Sequence, residues 1–74
     1  MTIHYAKAGV FYDFLGDAAC AVLPRKATSR NGIPLVGMHP MAVGAFIREI
    51  EKAGHTAQIH DDYANAKAAY LSEK

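Results

Sequence analysis

Phe11 and Asp13 lie two residues apart in Gly9-Val10-Phe11-Tyr12-Asp13-Phe14-Leu15. In an extended strand that spacing sends both side chains from one face, which leaves Val10, Tyr12 and Phe14 on the other. The face with Val10, Tyr12 and Phe14 is the better core candidate, so Phe11 and Asp13 are expected side by side on the more exposed face. A Phe exposed beside a carboxylate is explained either by a second, partly buried layer beneath it or by a binding surface. The basic side chains are the other group with a chemical use. Arg25, Lys26, Arg30 and Arg48 fall in a stretch between Asp17 and Glu49 that holds no acidic residue, a local charge of +4 in a chain of net charge +1. Such a segment suits phosphate contact, and it also suits a solvated loop.

The histidines and the single cysteine give weaker signals. His55 and His60 are five residues apart, which turns them to opposite strand faces, and no Cys or third His lies nearby. His60 and Asp62 would share a strand face, where a hydrated polar edge is the simpler reading, so no metal is expected. Cys20 sits among alanines and valine, with no neighbour that would lower its pKa, and reads as a small buried hydrophobe. Gly-x4-Gly-Lys-Ser/Thr, Cys-x2-Cys and His-Glu-x2-His patterns are all missing, so nucleotide hydrolysis and the common zinc sites have no local support. Neither a cofactor nor a catalytic residue is expected, and the chain reads as a non-enzyme.

The elements that must position these residues follow from periodicity and turn chemistry. Ile3 to Leu15 is rich in aromatic and β-branched residues and is interrupted at Lys7-Ala8-Gly9, a hairpin pattern. Asp17 caps a short helix through Ala18 to Leu23, bounded by Pro24. Arg25 to Arg30 reads as an edge strand or loop, and Asn31-Gly32 as the turn into a strand over Ile33 to Met38, with Pro34 at its start or on an edge. Pro40 opens a helix in which Val43, Phe46, Ile47 and Ile50 recur at helical spacing until Gly54. Thr56 to His60 is a short strand, and an alanine-rich amphipathic helix capped by Asp61 or Asp62 carries Tyr63, Tyr70 and Leu71. The order β-β-α-β-β-α-β-α predicts an α/β fold of the α+β type, a small mixed sheet of hairpins flanked by about three helices.

Length and composition bound what this fold can do. Seventy-four residues make one domain over 1–74, and 14 of its residues are alanine, so the core is small. A lone cysteine, no basic-then-apolar leader and no apolar run near the ~20 residues of a membrane span point to the cytoplasm.

The motifs Gly9-Val10-Phe11-Tyr12-Asp13-Phe14-Leu15, Thr28-Ser29-Arg30-Asn31-Gly32-Ile33-Pro34-Leu35-Val36-Gly37-Met38, Met41-Ala42-Val43, Ala53-Gly54 and Ala57-Gln58-Ile59 occur in the order and spacing of a known family. Over roughly residues 3–61 the chain resembles the amino-terminal mismatch-recognition domain of the MutS DNA mismatch repair proteins; residues 62–74 diverge into the final helix. In that family a Gly-Asp-Phe-Tyr-Glu motif supplies a Phe that wedges against a mispaired base and a Glu that hydrogen-bonds to it. The resemblance implies that Phe11 is the wedge and Asp13 the carboxylate, with Arg25, Lys26 and Arg30 near phosphate. Asp13 is one methylene shorter than Glu, and His39-Pro40-Met41 stands where the family has Pro-Tyr/Phe-His. The family's clamp and ATPase domains have no counterpart in these residues. The expected function is therefore weak binding of double-stranded, mismatched DNA in DNA repair. The rival is a protein-interaction or adaptor module, docking a protein partner or a second copy through the Phe11 face or the Tyr63/Tyr70 helix.

Overall fold

The computed structural model describes residues 1–22 and 27–73. Arg25 and Lys26, two of the expected phosphate contacts, lie outside the described residues, as does the expected end of the first helix at Leu23 and Pro24. The fold is a mixed α+β one. Strands β1 (Thr2–Ala8), β2 (Phe11–Leu15), β3 (Thr28–Arg30), β4 (Ile33–Met38) and β5 (Thr56–His60) form one sheet in the order β3-β4-β2-β1-β5. Helices α1 (Asp17–Val22), α2 (Val43–Lys52) and α3 (Tyr63–Ser72) flank it, and a 3-10 turn over Pro40–Ala42 leads into α2. β5 runs parallel to β1, and the other three pairings are antiparallel.

The turns behave as their residues dictate. Asn31 (φ 54°) and Gly32 (φ 80°) both adopt positive φ, the requirement of a tight two-residue hairpin turn between β3 and β4. The first hairpin turns one residue later than the sequence suggests: Ala8 pairs with Phe11, so Gly9 and Val10 form its tip. Val10 therefore leaves the core face to which strand alternation assigned it and is 71% exposed.

Each sheet face is covered. Ile3, Tyr5, Phe14, Val36 and Met38 meet Ala19 of α1 and Phe46 and Ile50 of α2 in the larger core. Phe14 anchors this layer, stacked on Tyr5 at 4.4 Å and edge-on to Phe46 at 4.5 Å. On the opposite face Ala6, Leu15, Ile33 and Leu35 pack under Ala66 of α3, with Tyr63 and Tyr70 at its margins. A second layer thus exists on the Phe11 side of β2, but it does not lie under Phe11 as expected, and that ring stays 48% exposed. The layer also corrects the placement of Asp13, which is only 5% exposed because α3 closes that face.

α3 starts where Asp62 accepts a hydrogen bond from the Asn65 N–H at 2.8 Å, which makes Asp62 the cap. It is not amphipathic as expected. Alanines occur all round it, only Ala66 is fully buried, and small side chains let the helix lie close to the sheet. No helix among the described residues is long and apolar enough to cross a membrane.

Candidate nucleic-acid interface

Phe11 opens β2 immediately after the hairpin tip, and its side chain is 48% exposed. Alternation along β4 places Gly37 and His39 on the same sheet face as Phe11, since Asp13 pairs with Gly37 across the two strands. The His39 ring lies edge-on to Phe11 at 6.3 Å. Val10 and Met41, 71% and 90% exposed, add apolar surface on the adjoining hairpin tip and 3-10 turn. A half-exposed Phe beside an exposed Val and Met makes this end of the sheet a candidate contact surface.

His39 is held in one orientation by the backbone that follows it. Its Nδ1 accepts a hydrogen bond from the Met41 N–H at 3.2 Å, so the neutral ring carries its proton on Nε2. That N–H has no partner among the described residues. His39 itself is exposed.

Asp13 lies on the same face as Phe11 but under a different cover. One carboxylate oxygen, Oδ2, is 3.1 Å from Arg30 Nη1. The contact is one of charge, because Oδ2 receives no aligned hydrogen bond. Burial raises the Asp13 carboxyl above the ordinary aspartate range, and the Arg30 charge draws it part of the way back. Arg30 in turn lies over the Tyr63 ring at 4.8 Å and leaves about half of its side chain to solvent. The structure thus brings Asp13, Arg30 and Tyr63 together around one guanidinium, and puts Phe11 with His39 instead of with a free carboxylate.

Sequence reasoning missed His39, and it offered Tyr63 only as part of a docking helix and not as the support of Arg30. The strand period could have found His39, since counting on from Leu35 and Gly37 reaches it, but only with the register of β4 against β2 in hand. A second polar group was missed entirely. His4, 3% exposed, connects Glu73 Oε2 at 2.7 Å to His60 Nε2 at 2.9 Å. The ionised carboxylate can only accept, so His4 donates from Nε2, and in the neutral ring its Nδ1 then accepts from His60. His60 is accordingly tied to β1 and does not form a hydrated edge with Asp62, whose side chain caps α3. Among the described residues no three His, Cys, Asp or Glu side chains converge as a metal site. Cys20 is partly buried, and burial together with the Asp17 charge pushes its thiol further up, against thiolate formation. Compared with protein-family models, curated proteins and solved structures, the chain matches none.

Proposed function

We propose that this chain is a small DNA-binding module that contacts mispaired or distorted duplex DNA, acting by contact and not as an enzyme, in the reducing cytoplasm that a lone Cys20 suits. The observation that carries the reading is the half-exposed Phe11 ring, flanked by exposed Val10 and Met41 at one end of the sheet. An apolar side chain entering a base step costs a few kcal/mol of unstacking, least where pairing is already disturbed, and that difference discriminates a mismatch. The resemblance of Gly9 to Leu15 to the wedge hairpin of the MutS recognition domain supports the same assignment.

Arg30 supplies the phosphate contact, with Arg25 and Lys26 adding charge beside it in sequence. Asp13 enters as a positioning residue: its carboxylate and the Tyr63 ring fix the guanidinium, leaving the exposed part to meet an anion. With a net charge of +1 the module neutralises few phosphates, so its affinity falls near the nonspecific range of about 10⁻⁴ to 10⁻⁶ M and weakens with salt.

Fluorescence anisotropy on mismatched and fully paired duplexes, at two salt concentrations, tests this. The wild type binds the mismatched duplex more tightly, and Phe11→Ala removes most of that preference, about five- to a hundredfold if one base stacks on the ring. Equal affinity for both duplexes with no effect of Phe11→Ala overturns it. In that event the same apolar end of the sheet serves protein docking, which mass measurement in solution would report as a complex insensitive to added DNA.

A further inference from the structure

We infer that His39, and not Asp13, is the polar partner of Phe11, donating its Nε2–H to an acceptor atom on the edge of the base that Phe11 contacts. The inference rests on the DNA-binding reading of Phe11 and adds to it a residue and a direction of hydrogen bonding. Three observations carry it. The His39 ring stands beside the Phe11 ring at 6.3 Å, on an adjacent strand end and the same exposed end of the sheet. Its tautomer is fixed, because the Met41 N–H occupies Nδ1 and leaves the donor on Nε2. Asp13, by contrast, is buried in the second layer with its Oδ2 against Arg30. To reach a base it would have to leave that layer and abandon the guanidinium.

The consequence is a reversed polarity of recognition. A carboxylate accepts from base amino or imino groups, whereas an imidazole Nε2–H selects acceptors such as purine N7 and O6 or the N3 and O2 atoms of the minor groove. The pairing of a stacking ring with a single donor also suits a surface of low net charge, since a hydrogen bond to a base edge adds specificity without depending on phosphate attraction.

Two substitutions separate this role from capping of the 3-10 turn. His39→Gln places an amide N–H near the position of Nε2 and gives up the cap, while His39→Asn keeps an acceptor near the position of Nδ1 and gives up the reach. Affinity for the mismatched duplex, its salt dependence and the urea midpoint are measured for both, beside Phe11→Ala. His39→Asn is expected to bind about three- to tenfold more weakly at unchanged stability, the size of one neutral hydrogen bond. His39→Gln is expected to keep affinity within about twofold of wild type, and the salt slope of both stays as in wild type. The opposite pattern, with Asn normal and Gln impaired, makes His39 a cap only and overturns the inference. A salt slope lowered by about one in His39→Asn assigns the contact to phosphate and also overturns it. If Phe11→Ala weakens binding and neither His39 variant does, this inference fails while the wedge reading stands; if Phe11→Ala is silent, the wedge reading itself fails.

Discussion

A carboxylate set under a helix with one buried oxygen left without an aligned hydrogen bond is an unstable choice of side chain unless it holds something else in place. At Asp13 that something is Arg30, and the arrangement has a pH signature. The folded protein holds the Asp13 proton more tightly than the unfolded chain does, because burial raises its carboxyl despite Arg30. Between the ordinary aspartate pKa of about 4 and the raised folded value, the native state therefore binds more protons than the unfolded state. The contribution of Asp13 to stability is present at acid pH and is lost as pH rises through that window. Asp13→Asn has no such titration. Its urea midpoint, compared with that of wild type at pH 4 and pH 7, should improve relative to wild type at the higher pH; a constant or shrinking difference would show that Asp13 is not held above its normal range. The same substitution removes the charge that orients Arg30, so it should weaken DNA binding even where it helps stability.

Among the elements, α3 determines how the candidate interface is built. Its first residue, Tyr63, supports Arg30, and its far end carries Tyr70 against the turn after β2. That turn is made at Gly16, whose φ of +104° is a glycine conformation and whose position leaves no room for a side chain: a Cβ there would lie 2.9 Å from Tyr70 Cε1. Gly16→Ala should destabilise the protein by about 1–3 kcal/mol from backbone strain alone. Steric pressure on Tyr70 adds to this, and combining the change with Tyr70→Ala should recover only that second part. Thermal or urea unfolding of the single and double variants measures both; a Gly16→Ala protein as stable as wild type would mean that the turn relaxes and α3 is not seated on it. Because α3 is rich in alanine and buries Ala66 alone in full, the tyrosines at its margins and the bond made beyond its C-terminal end do much of the seating.

Across the whole molecule, the Glu73–His4–His60 chain joins the first strand, the last strand and the end of the last helix, residues 56 and 69 positions apart in sequence. A buried imidazole satisfied at both nitrogens resists rearrangement, and removing one partner leaves a buried polar atom exposed to that cost. Glu73→Ala should lower stability by about 1 kcal/mol, toward the low end for an orphaned buried donor since water can approach from the half-exposed Glu73 side. Glu73→Gln, whose side-chain carbonyl still accepts from His4, should restore most of it. If both variants unfold at the wild-type urea midpoint, the relay does not close the fold.

What was legible in the sequence was local. Asn31-Gly32 dictates its turn through positive φ, the Asp61-Asp62 pair supplies a cap that the structure assigns to Asp62, and the spacing of Val43, Phe46, Ile47 and Ile50 sets the face of α2 that meets the sheet. The i, i+2 spacing of Phe11 and Asp13 likewise put both on one strand face, and the structure retains that relation. Each of these depends on neighbours within a few residues, which is the range over which backbone sterics and hydrogen bonds act. Which face α3 covers, and hence that Asp13 is buried while Phe11 is not, depends on packing between segments distant in the chain. The meeting of Asp13 with Arg30, of Phe11 with His39 and of His4 with His60 and Glu73 was decided there too. Sequence alone determined which side chains were available for a contact surface; strand register and helix placement determined which of them remained free to make one, because burial and pairing are properties of the assembled sheet.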